Sequence, residues 1–220
     1  MKRDLHCISF PRRDELSTKE AYLLEALRLF ADKGYEAVGV VEIAKAVGCT
    51  TSALYKHFSG KKALFEAILE MGEESFHYNM LKLKINFSDY TEEEKKEMIE
   101  MKEEEQVNMV KELFLAVAEG EYPRLFRKLL TVEQFKHPEL GSLYTERYVT
   151  TQVKSFECLM RIWIESGVMR SMNPHIMALQ FLSPVIVLIG VFDREPERKE
   201  ELLQLLEVHV KQFNEIYRIQ

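Results

Sequence analysis

The sequence predicts an all-α protein, with an N-terminal three-helix helix-turn-helix domain followed by a larger helical domain. Almost every apolar pattern after residue 16 repeats at the spacing of an α-helix, and no strict alternation is long enough to predict a strand. Two capping boxes, Ser17-x-x-Glu20 and Thr91-x-x-Glu94, are typical of helix N-termini. Glycines and prolines fall where these patterns end and begin.

The first predicted helix begins at the Ser17 capping box and stops at Gly34. Its apolar residues are Leu23, Leu24, Leu27, Phe30 and Ala31. A supporting helix follows, because apolar residues recur at the i, i+3, i+4 and i+7 positions of one helical face. These residues are Val40, Ile43, Ala44 and Val47. Gly48 can then adopt the left-handed conformation that ends one helix and turns the chain into the next.

A short third helix is predicted from about Thr51 to Phe58, with Thr50 as its N-cap. Apolar residues would face inward and polar ones outward; the outward residues are Thr51, Ser52, Tyr55 and Lys56. In helix-turn-helix proteins this part of the second helix meets base edges, while hydroxyls and lysines hold phosphates. Lys61 and Lys62 would open the next helix close to the DNA backbone. Packing of three helices without DNA explains the apolar positions equally well.

The same segment resembles the N-terminal domain of the TetR family of bacterial transcription regulators, over roughly residues 17–66. The matching residues are Leu27-x-x-Phe30, Gly34-Tyr35, Glu42-Ile43-Ala44, Val47-Gly48, Ser52-Ala53-Leu54-Tyr55-Lys56-His57-Phe58, Lys61 and Leu64-Phe65. The resemblance implies that Tyr55 and Lys61 contact phosphates and that Thr50 to Ser52 and Lys56 lie at the groove. The predicted DNA-binding residues are Thr50, Thr51, Ser52, Tyr55, Lys56, His57 and Lys61.

The sequence departs from the family pattern in two places. Gly39 stands where the family usually has a capping Ser or Thr, and glycine as a cap costs only a few tenths of a kcal/mol. Thr51-Ser52 replaces a more usual basic residue or proline followed by glycine. The base preference therefore stays open.

Charge is distributed unevenly along the 220 residues, of which 46% are hydrophobic, enough for one large or two modest domains. The net charge of -6 divides into +3 for residues 1–65, with 11 basic against 8 acidic side chains, and -9 for residues 66–220. A basic head on an acidic body suits a protein that binds DNA with one end.

The three cysteines form no CxxC pair, which indicates neither a disulfide framework nor a zinc site and favours a cytoplasmic protein. No apolar core of a secretory signal is evident near the N-terminus. The basic residues there could form an arm along the DNA minor groove or a plain solvated tail. The expected organisation is therefore an arm over residues 1–16, the DNA-binding domain over 17–66, and a ligand-binding and dimerisation domain over 67–220.

The second domain is expected to contain only helices. The first four are predicted from Lys61 toward Leu83, from Thr91 to near Gly120, from Tyr122 to Phe135 and from Pro138 to Ser166. Asn86 to Tyr90 is predicted to be a loop. Pro174 and Pro196 each lie at the first turn of a further predicted helix. The apolar run from Ile176 to Phe192 is at the short edge of a membrane span, but Pro184 should kink or break it. A buried interface helix is the favoured interpretation, and a membrane-associated bundle an alternative.

The last helix carries a continuous apolar stripe, Leu202, Leu206, Val210, Phe213 and Tyr217. Two long apolar C-terminal helices need a large partner surface, so they predict a homodimer with a four-helix interface. Family resemblance implies the same arrangement. A dimer would place two recognition helices about 34 to 36 Å apart and should prefer a palindromic double-stranded DNA operator.

Resemblance to the TetR family also implies that an unidentified small molecule binds the C-terminal domain and releases DNA. Candidate lining residues are Met109, Phe114, Phe126, Tyr144, Tyr148 and Trp163, with Phe135 and Met160, although each could be plain core. His137, Arg147 and Gln152 could anchor a head group or could be surface residues.

No catalytic constellation supports an enzyme. GxSxG, Walker, HExxH and dinucleotide fingerprints are all missing from the sequence. Glu74-x-x-His77 is half of a di-iron motif whose second copy is lacking, so no metal and no cofactor are expected. A ligand-responsive repressor is the favoured function, with an all-α enzyme as the other alternative to it.

Overall fold

The computed structural model describes residues 16–82 and 90–219, with backbone alone for residues 74–82. The predicted arm, most of the predicted loop from Asn86 and the side chains of Glu74-x-x-His77 lie outside these described residues and side chains. The described helices are α1 Thr18–Lys33, α2 Val40–Val47, α3 Thr51–Tyr55, α4 Lys61–Lys82, α5 Glu92–Glu100, α6 Glu103–Ala118, α7 Glu121–Glu133, α8 Pro138–Thr145, a π-helical turn Glu146–Thr150, α9 Thr151–Glu165, α10 Pro174–Arg194, a 3₁₀ turn Pro196–Arg198 and α11 Lys199–Tyr217. The all-α prediction is confirmed.

The chain forms two compact units. The first comprises Met1–Met80 with Glu119–Tyr144, and the second Leu81–Ala118 with Thr145–Gln220. The boundary expected after residue 66 thus falls inside the first unit, which also takes in α7 from much later in the chain.

In the first unit, helices α1 to α4 share one apolar core. Ser17 and Glu20 form the predicted capping box at the start of α1, and Gly34 ends the helix with its N–H donating to the carbonyl of Phe30. Each helix contributes side chains with no exposed area, among them Leu27, Phe30, Ile43, Leu54 and Leu64. Burial of such side chains stabilises the unit by roughly 1.5–3 kcal/mol each.

Helix α7 completes this unit by packing along α1 and reaching α4. The Tyr122 hydroxyl donates to the carbonyl of Ile68 at 2.9 Å. Gly72 of α4 faces the Phe126 ring so closely that a Cβ there would lie 2.4 Å from a ring carbon. Long-range packing of this kind leaves no local sequence signal, so the sequence did not predict it.

The predicted helix from Thr91 to Gly120 is wrong as a single element, because it breaks between α5 and α6. Met101 is extended (ψ 124°), and the N–H of Lys102 donates to the Glu105 carboxylate at 2.7 Å, which caps the new helix. The carbonyls of Met98 and Met101 accept from the Trp163 indole and the Arg218 guanidinium. Side chains of the second unit therefore satisfy the backbone groups freed by the break.

Two further element predictions differ from the structure. The helix expected from Pro138 to Ser166 contains the π-helical turn at Glu146–Thr150. Pro184 does not break α10, which continues from Pro174 to Arg194. Leu182 and Val185, on either side of the proline, are buried in the core of the second unit, and this packing outweighs the local cost of the proline.

Helix α10 is long and apolar enough to cross a membrane by length and composition, with a mean hydropathy of 2.1 and 33% of that window buried. A core helix of a soluble protein passes the same test. Met177, Ala178 and Phe181 of this helix lie in the core of the second unit. Most of the predicted α11 stripe is buried there too, namely Leu202, Leu206, Val210 and Phe213.

Substitution of Gly34 should destabilise the protein by more than the change in helix propensity alone would explain. Its backbone (φ 84°, ψ 155°) lies in a region that is essentially restricted to glycine, and an added Cβ would lie 2.9 Å from Oε1 of Glu133. We expect Gly34→Ala to lower the free energy of unfolding by about 1–3 kcal/mol. Gly39→Ala is the control, because Gly39 has a negative φ and open space around it, so this change costs only the preference for glycine over alanine at a helix N-cap. Equal losses by denaturant unfolding would contradict this explanation.

Candidate nucleic-acid interface

The turn between α2 and α3 is closed by backbone bonds that the glycine makes possible. Gly48 is left-handed (φ 80°, ψ 25°), and its N–H donates to the carbonyl of Lys45 at 3.0 Å. The N–H of Cys49 donates to the carbonyl of Ala44 at 2.9 Å. Together these bonds form a Schellman motif, which fixes the direction in which the chain leaves α2.

Helix α3 begins as predicted and ends earlier than predicted. Thr50 caps it, its hydroxyl accepting from the N–H of Ala53 at 3.2 Å. The α-helix stops at Tyr55, so Lys56 and His57 lie in the turn that follows, contrary to the predicted helix up to Phe58. Tighter hydrogen bonds close this turn, including that from the N–H of His57 to the carbonyl of Leu54 at 2.9 Å.

The apolar side of this segment faces the core and the polar side faces solvent. Leu54 and Phe58 are buried. The exposed predicted residues are Thr50, Ser52, Tyr55, Lys56 and His57, whereas Thr51 is half-buried. Tyr55 is 52% exposed, an unusual position for an aromatic side chain without a partner surface. A polar surface with one projecting aromatic hydroxyl is thus held on a rigid support.

Lys61 is fixed in place at the start of α4. Its ammonium lies 4.2 Å from the centroid of the Tyr35 ring and donates to the carbonyl of Glu36 at 3.3 Å. The neighbouring Lys62 side chain is 84% exposed, with only a loose 3.7 Å contact to Glu66. Lys45, at the end of α2, is also exposed, and the predicted set of DNA-binding residues did not contain it or Lys62.

A buried tyrosine of α1 lies close to the turn that follows α3. Tyr22 of α1 has no exposed area, and its ring lies 6.0 Å from that of His57. Burial, together with the neighbouring Cys49 thiol, raises the pKa of the Tyr22 hydroxyl to about 12. Cys49 and Cys158 are free thiols.

The predicted ligand-lining residues are divided between the two units. Phe126 and Tyr144 lie in the first, and Met109, Phe114, Tyr148 and Trp163 in the second. Phe114 and Trp163 are core residues, and the Trp163 indole donates to the carbonyl of Met98 at 2.8 Å. Within the part of the chain that the structure describes, the six do not line one cavity of a single unit.

Four other candidates for a ligand site differ in their exposure to solvent. Phe135 is 90% exposed, so the expectation that it lines an interior cavity is wrong. Arg147 is buried, whereas His137 and Gln152 are only partly so. For metals, the described residues contain no group of three or more His, Cys, Asp or Glu side chains arranged to hold an ion.

Helix α2, the glycine turn and the short helix α3 with its exposed polar face define a helix-turn-helix domain, the class of fold that enters the DNA major groove. Residues 23–68 match the model of the bacterial regulatory proteins of the tetR family. The HTH-type transcriptional regulator AcrR of Shigella flexneri is 40% identical over 62 residues, 28% of this chain and 29% of that relative. The resemblance of the N-terminal segment to the TetR family is confirmed.

Longer matches extend the likeness beyond the head. IcaR of Staphylococcus aureus, the HTH-type negative transcriptional regulator of the biofilm operon icaADBC, is 24% identical over 159 residues, 70% of this chain and 83% of that relative. A solved structure of SmeT with triclosan, a protein of Stenotrophomonas maltophilia, superposes with a TM-score of 0.66 at 18% identity and covers 93% of each chain. This likeness extends the shared fold to both units.

Proposed function

We propose that this chain is a sequence-specific transcription repressor that binds a palindromic operator as a homodimer and is released by a small molecule. The observation that carries the proposal is the exposed polar face of α3, held on a capped helix-turn-helix within the segment that matches the tetR model. IcaR is named a negative regulator, and SmeT the repressor of a multidrug efflux pump. These names support repression over activation.

Each side chain of the interface has a proposed role. Tyr55 and Lys61 contact phosphates, since one projects a hydroxyl and the other holds its ammonium fixed at the start of α4. Thr50, Thr51, Ser52, Lys56 and His57 lie at the groove. Thr50 has a double use, because its oxygen caps α3 while its hydroxyl hydrogen remains able to donate.

The DNA-binding proposal is tested by gel-shift titration at low salt with DNA from upstream of the gene, followed by selection from a randomised pool. Tyr55→Phe and Lys61→Ala should weaken binding to all sequences alike, and Lys61→Ala should also make the salt dependence shallower by about one ion per head. Lys56→Ala should instead change which bases are tolerated. Lys96→Ala is the control, because it removes an exposed lysine from the second unit. A folded dimer that binds no site would sink the proposal.

The homodimer is proposed to form through the outer faces of α10 and α11. Exposed apolar residues on α10 are Ile176 (48%) and Val187 (62%). Those on α11 are Leu205 (45%), Val208 (50%) and Ile216 (58%). Each set shares one helical face by its spacing. On α10 this face lies opposite to the residues buried in the core, and on α11 it lies beside them. The predicted stripe from Leu202 to Phe213 is thus the inner face, and the proposed interface is the outer one.

A charge placed on this outer face should separate the protomers. We expect Val187→Glu and Val208→Glu to convert the dimer into a folded monomer, because each would bury an unpaired carboxylate in an apolar contact. Sedimentation or light scattering gives the mass, and operator affinity should fall with it. Phe135→Glu, at an exposed position of the first unit, should leave the mass unchanged. Dimers that persist in both interface variants would exclude this face.

The inducer is proposed to be a small, largely apolar molecule bound in the second unit. SmeT, which shares the fold, has been solved in complex with triclosan. Trp163 is the single tryptophan of the chain and is buried there, so its fluorescence reports on this core. In a screen of hydrophobic compounds, one that weakens DNA binding should also shift the Trp163 emission and raise the melting temperature. A compound that releases DNA without either change would contradict a site in this core.

We also propose that the protein acts in the cytoplasm, where its DNA target lies. Helix α10 is the feature that favours the membrane alternative, and its outward apolar face is assigned to the dimer instead. Purified chain that requires detergent to stay soluble would overturn this assignment. The enzyme alternative is less favoured, because the matched relatives are named as transcription regulators.

A further inference from the structure

Glu133, the last residue of α7, holds a carboxylate where none is expected. Its side chain has no exposed area, and no other Asp or Glu of the described residues is buried. An isolated buried carboxylate is costly, so it persists only where specific contacts stabilise it. The contacts of Glu133 therefore indicate what the residue is for.

These contacts lead to the turn that follows α1. Oε1 of Glu133 accepts a hydrogen bond from the N–H of Tyr35 at 2.8 Å. This approach is possible because residue 34 is glycine, as a Cβ there would lie 2.9 Å from the same oxygen. The other oxygen, Oε2, lies 3.5 Å from Nε2 of His137 and accepts no hydrogen bond from any of the described residues. One carboxylate thus ties the end of α7 to the backbone between α1 and α2.

The backbone held in this way carries the two groups that contact the Lys61 ammonium. The Tyr35 ring packs against Phe65 at 4.6 Å and Phe30 at 5.3 Å between centroids, so its position is fixed. The Lys61 ammonium rests over that ring, and its hydrogen bond goes to the carbonyl of Glu36, the next residue. Both contacts that orient the ammonium therefore come from Tyr35, whose N–H donates to Glu133, and from the residue that follows it.

We infer that Glu133 is a positioning residue for DNA binding, which acts through Tyr35 to hold the Lys61 ammonium where a phosphate oxygen meets it. The inference rests on the proposed function, because it requires Lys61 to contact DNA. Glu133 itself is buried and touches no DNA. A displacement of the α7 C-terminus would break the 2.8 Å hydrogen bond from Tyr35 to Glu133. The Lys61 ammonium would then be held less firmly, and DNA affinity would fall without any change in the exposed face of α3.

The test measures how the DNA affinity of the full chain depends on salt, using a duplex selected from a randomised pool and a generic duplex of the same length. The logarithm of the binding constant falls as the logarithm of salt concentration rises. Lys61→Ala should reduce the magnitude of this negative slope by about one for each helix-turn-helix domain bound. Glu133→Ala should lower the slope by a similar amount, and the Glu133→Ala/Lys61→Ala double variant should lose no more than either single change. Glu133→Gln should retain the wild-type slope, because the amide oxygen can still accept from the N–H of Tyr35.

Glu139→Ala is the matched control. It removes an exposed carboxylate that lies 3.5 Å from the other ring nitrogen of His137, so it changes the net charge equally without touching the Tyr35 turn. Slope losses that add in the double variant, or a wild-type slope in folded Glu133→Ala, would overturn the inference. If Glu133→Ala does not fold, Tyr35→Leu replaces it: this change removes the ring under Lys61, and a wild-type slope then overturns the inference.

Failure of the proposed function has a different signature. In that case wild type and Lys61→Ala bind both duplexes equally poorly, and no variant shows a salt dependence that a substitution could reduce. When wild type binds and Lys61→Ala weakens binding, the result with Glu133→Ala decides the inference alone.

Discussion

A recognition helix of five residues cannot hold its own shape, and the proposed DNA-binding surface depends on what packs behind it. Isolated helices shorter than about 12–15 residues are marginal in water. Helix α3 is stable because Leu54 has no exposed area, Thr50 caps the first turn and the Gly48 turn fixes its entry. The same packing determines which side chains project. Burial on one face leaves Ser52 and Tyr55 on the other, so the functional surface is a consequence of the core.

That core extends further along the chain than the helix-turn-helix itself. Helix α7 contributes the buried hydroxyl of Tyr122 and the carboxylate of Glu133 to the first unit. Two surface ion pairs, Arg28 with Glu121 and Lys128 with Asp32, also join α7 to α1. Exposed pairs of this kind contribute about 0–1 kcal/mol each, so the buried contacts determine the geometry. A change that moves α7 therefore reaches the turn beneath Lys61 directly.

Features that depend on neighbouring residues could be predicted from the sequence, whereas most features that depend on contacts between distant residues could not. The limits of α1 and the glycine turn after α2 were predictable, since caps and glycine conformations are properties of neighbouring residues. The break before α6 was not, because the carbonyls that it frees are satisfied by Trp163 and Arg218, which lie far along the chain, although its cap at Glu105 is local. Periodicity showed which α11 residues share a face but not whether that face lies inside the protomer. Glu133 gave no signal, because its partner is 98 residues away.

The proposed dimer places two copies of this helix-turn-helix in adjacent major grooves on one face of DNA. Hydroxyl-radical footprinting of the full chain on the duplex that it selects tests this claim most directly. The prediction is two protected patches related by a dyad, with centres about 34 to 36 Å apart, one helical turn of DNA. A single patch, or uniform weak protection along the duplex, would contradict it.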